Sequence, residues 1–236
     1  MIFDDRRHAG VLLAKELDVY RRHAGALVLA LPRGGVVVGF EVALALHLAL
    51  DVFITRKVGL PESPEYAIGA VSETGSVYLN PEAAGSLNEA REDVDGLIEA
   101  QRHEISRRQI LYRHGRTLPM MQDHTVILID DGIATGSTFF ATIEAIRKLS
   151  PGRLVAAIPV SPSSTAHKVR ALVDHCVILA TPEPFGAVGE FYTDFQQITD
   201  DEVLRCLGRG EQANHERPHT VGSSPPRISA HHQSEM

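Results

Sequence analysis

The chain has 236 residues, a formal net charge of -7, 44% hydrophobic residues and two cysteines, Cys176 and Cys206. An acidic balance excludes a protein that coats nucleic acid or anionic membrane nonspecifically, which needs a basic excess. Two cysteines exclude a disulfide scaffold and a cysteine-rich zinc module, and they fit a reducing compartment.

The opening MIFDDRRHAG is charged from its fourth residue and lacks the apolar region of a signal peptide. Residues 4–22 are expected to be helical, because Leu12, Leu13, Leu17 and Tyr20 recur near helical spacing between charges. The run ALVLAL (26–31) is a buried strand stopped by Pro32-Arg33-Gly34-Gly35. Residues 36–49 form the next helix and 51–56 the next strand. The span Val36 to Ile54 is the only one that resembles a membrane helix, and Glu41, His47 and Asp51 make that reading costly. A buried helix running into a buried strand fits better, in a soluble cytoplasmic protein.

Residues 66–79 read as a hairpin, YAIGAV and SVYLN joined by a SETG turn. A long helix follows at about 88–114, with Val94, Ile98, Ile105 and Tyr112 on one side. Its Arg91, Arg102, Arg107, Arg108, Arg113 and Arg116 alternate with Glu92, Glu99 and Glu104, the pattern of a solvated, ion-paired helix. TVILID (125–130) is a strand, 137–149 a helix, RLVAAIPV (153–160) a strand, 162–173 a helix and HCVILA (175–180) a strand. His175 reads as a satisfied core or edge histidine. Residues 181–197 are irregular and aromatic, and 199–207 are a short helix.

From Arg209 to Met236 only Ala213, Val221, Ile228, Ala230 and Met236 are apolar. Such a segment does not bury enough surface to offset its ordering entropy, so 209–236 is expected as a disordered tail and 1–208 as one domain. The tail's three acidic and three basic residues cancel, which leaves the whole charge of -7 on the domain.

Apolar strands alternating with helices predict an α/β fold. We expect a doubly wound, mostly parallel sheet with flanking helices, a hairpin and long-helix insertion and a small hood. Ligands of such sheets bind at the C-terminal strand ends. That directs attention to 32–35, 56–66, 130–138 and 181–192.

The most specific segment is VILIDDGIATGST, residues 126–138. Two adjacent carboxylates, Asp130 and Asp131, end an apolar strand and, as pure acceptors when ionised, suit vicinal sugar hydroxyls. Gly132, Ile133, Ala134, Thr135, Gly136, Ser137 and Thr138 then open a helix. The helix N-terminus, small residues and hydroxyls together suit a phosphate. The plain alternative is a β–α loop with a Ser/Thr cap. The loop lacks the lysine of a Walker A motif, and no GxGxxG follows a strand.

VILI-DD-GIA-TGST resembles the signature of the type I phosphoribosyltransferases. The resemblance implies binding of 5-phosphoribosyl-1-pyrophosphate, with Asp130 and Asp131 on the ribose hydroxyls and 132–138 on the 5′-phosphate. Pro32, Arg33, Gly34 and Gly35 match the family's pyrophosphate loop, which often contains a non-proline cis peptide; the alternative is a plain Pro-Gly turn. Arg56 and Lys57 match a basic position near the pyrophosphate, or are a solvated strand end. RKVGLPESPEYAIGAV, the central loop and TPEPFGAVGEFYTDF together are similar to a subfamily of bacterial phosphoribosyltransferases whose acceptor is not assigned.

The chain departs from better-known members. Hypoxanthine-guanine enzymes carry an aspartate before TGxT, where this chain has Ala134, which weakens a 6-oxopurine reading. Orotate enzymes use a lysine-rich mobile loop, and here no Lys or Arg lies between Lys57 and Arg91, while Glu62, Glu65, Glu73, Glu82 and Glu89 do. Glu65 and Tyr66 are candidate acceptor contacts or ordinary loop residues. Phe185, Phe191 and Tyr192 either stack on the acceptor or hold the hood to the core.

The resemblance therefore implies a Mg²⁺-dependent phosphoribosyltransferase. Asp130 and Asp131 would act on the ribose hydroxyls directly or through metal-bound water, with a nucleobase-like acceptor and release of pyrophosphate. The alternative is a regulator that binds the same ligand without turnover. A synthetase of the ligand is disfavoured, because it needs two domains of this fold. Neither a membrane nor nucleic acid is an expected partner, and a homodimer is compatible with the fold.

Overall fold

Two β-sheets flanked by helices organise the molecule. The computed structural model describes residues 1–60, 63–79 and 91–215. Five strands form one wholly parallel sheet: β1 (Ala26–Ala30), β2 (Ala49–Val52), β6 (Thr125–Ile129), β7 (Arg153–Val160) and β8 (His175–Ala180), in the order β2-β1-β6-β7-β8. A second, antiparallel sheet contains β3 (Thr55–Leu60), β4 (Ser63–Ser72) and β5 (Val77–Leu79), in the order β3-β4-β5.

Past the opening Thr125 and Arg153, each central strand is apolar because both faces are covered. Val28, Ile127, Ile129, Val155 and Ala157 pack under α1 (Arg6–Glu16) and α2 (Gly34–Leu46). Their alternate neighbours Leu27, Leu29, Val126, Leu128, Leu154 and Ala156 pack on the other side. There they meet Phe139, Ile143 and Ile146 of α4 (Ser137–Arg147) and Val169 of α5 (Ser163–Leu172). This strict division by parity is the pleat of a doubly covered sheet. The expected α/β class and doubly wound layering are thus present.

A third cluster joins α2 and the antiparallel sheet to α3 (Arg91–Arg113) and to Val203, Cys206 and Leu207 of α6 (Asp200–His215). The helix expected at 36–49 is α2, mostly buried, and among the described residues no helix is long and apolar enough to cross a membrane.

Some expectations need correction. Residues 4–22 are not one helix: α1 stops at Glu16 and a 3-10 turn covers Asp18–Tyr20. The strand expected at 51–56 is broken. The chain leaves the parallel sheet after Val52, and Phe53 N–H donates to Ala30 O at 3.0 Å. Ile54 N–H donates to the Glu73 carboxylate at 2.7 Å, while Glu73 N–H donates to Ile54 O at 2.8 Å. This exchange fixes the switch to the antiparallel sheet, so Arg56 and Lys57 lie on β3 rather than at the end of a parallel strand. The hairpin at 66–79 is β4 and β5, with Gly69 opposite Leu79 and Val71 opposite Val77.

The final helix runs to His215, so residues 209–215 are helical where a disordered tail was expected to begin. The rest of the expected tail, residues 216–236, lies outside the described residues, as do Glu62, Glu82, Glu89 and the start of the long helix at 88–90. His175 opens an edge strand, and its Nδ1 hydrogen-bonds the Tyr20 hydroxyl at 2.9 Å.

Candidate active site

Strand pairing brings the two best sequence motifs together. β1 and β6 are adjacent and in parallel register, and Leu31 N–H donates to Ile129 O at 2.9 Å just beyond them. The loop 32–35 therefore leaves the sheet beside the loop 130–138. The approach is close enough to demand glycine. A Cβ on Gly34 would stand 1.9 Å from Asp131 Oδ2, and one on Gly35 would stand 2.9 Å from Asp130 Cα. The Pro32–Arg33 peptide is cis, as the family's pyrophosphate loop often has it. Arg33 then caps α2, whose first residues are Gly34 and Gly35.

In the second loop, Asp131 N–H donates to Asp130 Oδ1 at 2.9 Å. Ile133 is buried and its N–H donates to Val160 O at 3.0 Å. Ala134 O accepts the Thr165 hydroxyl at 2.7 Å, which anchors the loop to α5. Thr135 is exposed at its crest. Gly136 has φ 81° and caps α4, a left-handed conformation that favours glycine. Ser137 is buried in the first turn of α4, and Thr138 is half-buried. Phe140 is the first residue of that turn whose N–H returns to Gly136 O, at 2.8 Å. The amides of residues 137–139 thus belong to the orphan N–H groups of a helix start, a natural anion cradle.

The doublet is electrostatically loaded. Burial pushes the Asp130 carboxyl well above the usual carboxylate range, and the negative charge of Asp131 adds to the shift. The hydrogen bond from Asp131 N–H and the charge of Arg6 offset only part of it. Arg6 is a site residue that sequence reasoning missed. Its Nε lies 2.7 Å from Asp131 Oδ2, and its Nη1 donates to Gln196 O at 2.9 Å. Its guanidinium carbon sits 3.7 Å from the centre of the Phe195 ring. A signal for it existed: Arg6, Ala9, Gly10 and Leu13 share the buried face of α1, and an arginine on such a face needs a partner.

The basic residues assigned to the pyrophosphate converge less tightly. Arg33 Nη1 is 3.9 Å from Asp200 Oδ1 at the start of α6. A cavity of about 280 Å³ opens there, bounded by Arg33 and residues 197–201. Arg56 Nε donates to Gln101 Oε1 of α3 at 3.0 Å. Burial lowers the Arg56 pKa first, and the charge of Arg108 lowers it next; Glu104 opposes this, and Arg33 lowers it further. Lys57 follows Arg56 on β3.

The long helix is only partly the solvated, ion-paired helix expected. Arg102 pairs with Glu99, and Arg107 with Glu104, on its exposed side. Arg108 and Arg113 are instead buried. Arg108 Nε pairs with Glu104 at 2.7 Å, and Arg113 is held by Glu73, Asp51 and Val52 O. Arg113 is the counter-charge that Glu73 and Asp51 beneath the helix require, while Arg108 is paired within the helix.

Of the acceptor candidates, Glu65 and Tyr66 lie in β4, with side chains outside the described residues. Tyr192 is buried between Phe3 and Phe195, with ring centroids at 5.2 and 5.0 Å, and its hydroxyl donates to Asp131 O. The hood-holding alternative is therefore the one its geometry displays. Phe185 and Phe191 stack at 4.9 Å and remain half-buried.

Comparison with known proteins agrees with this architecture. Two Mycobacterium tuberculosis proteins, from strains CDC 1551 and H37Rv, provisionally named phosphoribosyl transferases, are each 38% identical over 211 residues. The match covers 89% of this chain and 47% of theirs, so the chain spans about half the length of the curated relatives it matches. The crystal structure of TT1426 from Thermus thermophilus is 38% identical with a TM-score of 0.72, covering 88% of this chain and 98% of that one. The sequence model of the phosphoribosyl transferase domain matches residues 12–195, and the chain belongs to that family.

Proposed function

We propose that the protein transfers the 5-phosphoribosyl group of 5-phosphoribosyl-1-pyrophosphate to a nitrogenous, nucleobase-like acceptor and releases pyrophosphate. The acceptor nitrogen's lone pair forms the bond to ribose C1. The C1–O bond to pyrophosphate breaks, and its electrons leave on that oxygen.

The observation that carries this reading is the meeting of loops 32–35 and 130–138 within van der Waals contact. One ligand spanning both would place a phosphate on residues 132–138 and a diol on Asp130 and Asp131. Its diphosphate would lie on the amides of 33–35, with Arg33, Arg56 and Lys57 alongside. Bond cleavage of this kind builds positive charge on the sugar and negative charge on the leaving group. The gain comes from positioning and from pre-set charges. Half-buried Asp130 would stand on the sugar side and the arginines on the leaving-group side, which suits that polarity.

The side-by-side carboxylates are hard oxygen donors and fit Mg²⁺, which keeps several waters and shares its shell with phosphates. When bound, Mg²⁺ would neutralise charge on the departing diphosphate, with Asp130 and Asp131 holding it through water. Phe185, Phe191, Glu65 and Tyr66 are the residues we propose for the acceptor. The apolar, half-buried Phe185–Phe191 pair suits a planar ring. With two free cysteines among its described residues, the protein suits a reducing compartment, and we place it in the cytoplasm.

The test has two arms. Pyrophosphate release is measured with the ligand, Mg²⁺ and a panel of nucleobases, and release with at least one base is expected. Calorimetry is run on Asp130→Asn with Asp131→Asn, and binding is expected to disappear. Undiminished binding in that double variant overturns the assignment.

A further inference from the structure

The reading above rests on two carboxylates that repel one another in a buried setting, and the structure shows what holds one of them still. Arg6 is 7% exposed. Three groups from two separate parts of the chain fix it: Asp131 Oδ2 on one side, and the carbonyl of Gln196 with the ring of its neighbour Phe195 on the other. Arg6 stands on α1, whose preceding segment is itself tied to the hood. Phe3 N–H donates to Phe191 O, Thr193 N–H to Phe3 O and Asp194 N–H to Asp4 O, each at 2.8 Å. An arginine held this way has little freedom to follow the carboxylate; the carboxylate follows it.

The consequence is geometric. Asp131 Oδ2 faces Arg6 Nε, and Asp130 Oδ1 accepts from Asp131 N–H. The oxygens not engaged by these two donors are Asp131 Oδ1 and Asp130 Oδ2, one on each carboxylate. A vicinal diol needs one acceptor for each hydroxyl. Gly34 completes the constraint, because its Cβ position would be 2.9 Å from Arg6 Nε and 1.9 Å from Asp131 Oδ2. The pyrophosphate loop, Arg6 and Asp131 therefore meet at one point.

We infer that Arg6 is a positioning residue: it turns Asp131 so that the doublet presents one oxygen to each ribose hydroxyl, and it links that orientation to the hood segment 195–196. Arg6 precedes residues 12–195, the part of the chain that the family's sequence model matches. The role is thus supplied by this chain's own N-terminal helix. It rests on the ribose-binding reading of Asp130 and Asp131.

The experiment compares two ligands that share a phosphate and differ in the sugar, ribose 5-phosphate and inorganic phosphate. Their affinities are measured by calorimetry for the unaltered protein, Arg6→Gln and Arg6→Lys, with thermal melts alongside. The unaltered protein should bind the sugar phosphate more tightly. In Arg6→Gln that sugar-dependent gain should fall about tenfold, the scale of one charge-assisted hydrogen bond, while inorganic phosphate binds as before. Arg6→Lys should restore part of the gain, because it keeps the charge without the fork. A general loosening of the fold would weaken both ligands alike, and that result overturns the inference. So does an undiminished gain in Arg6→Gln. If the unaltered protein binds phosphate but gains nothing from the sugar, the ribose-binding reading falls and takes this role with it.

Discussion

Asp130 concentrates the chemistry of the site in one carboxyl. Burial and the adjacent Asp131 raise its pKa, so its protonated form is favoured in the folded chain relative to the unfolded one. By linkage, its stabilising contribution is complete below the ordinary carboxylate pKa of about 4. It is lost as pH rises through the raised folded value, above which the ionised group opposes folding. Asp130→Asn should therefore melt at a higher temperature than the unaltered protein at pH 7.5, and the difference should shrink toward pH 4. The same variant should bind the ribosyl ligand more weakly at pH 7.5. An equal or lower melting temperature at pH 7.5 would remove the buried charge from the account. The opposite shift occurs at Glu104. There the hydrogen bond from Arg107 leads, and Arg108 contributes as well, drawing the carboxyl down to about 2. This group is ionised throughout the working range and serves as a fixed counter-charge beside Arg56.

Among the elements, α3 is the one whose sequence pattern concealed its role. Its apolar stripe of Val94, Ile98, Ile105 and Tyr112 is buried as expected. The alternating charges suggested a solvated surface, since side-chain spacing alone does not say which arginine meets a buried carboxylate from a distant strand. Arg113 meets Glu73, whose side chain is 1% exposed, and Asp51. Gln109 Nε2 adds a bond to the same Glu73 at 3.1 Å. Removing one partner of such a buried set leaves a charge uncompensated. Arg113→Ala should cost about 3–5 kcal/mol in urea unfolding. A loss below about 1 kcal/mol, the scale of an exposed pair, would show that the network is better solvated than its burial indicates. The loops were more legible than the helix. Residues 126–138 announced strand, doublet and helix start through local chemistry alone. β3 was misjudged because the break at Phe53–Ile54 is imposed by Glu73, about twenty residues later, and both broken positions are as apolar as a strand interior.

At the scale of the whole molecule, the C-terminal helix and the N-terminal segment close the structure over the strand ends. α6 buries Val203, Cys206 and Leu207 against α2, β2 and α3. Burial also raises the Cys206 thiol above its ordinary pKa, with the nearby Arg7 working against that shift. Composition leads us to expect that residues 216–236 add little to the core. We expect a chain ending at His215 to keep the urea midpoint of the full chain. One ending at Thr199 should lose several kcal/mol, since three buried side chains at about 1.5–3 kcal/mol each go with α6. Equal midpoints for all three chains would deny α6 its place in the core.

The short parallel bridge between Phe3 and Tyr192 bears on how relatives are compared. It draws the first six residues up to Asp131 and the hood, although they stand before the stretch by which family membership is recognised. Alignments trimmed to that stretch would score two homologues as equivalent even when only one carries an arginine there. Relatives of this chain should therefore be compared upstream of the shared domain as well, at the position that Arg6 occupies here.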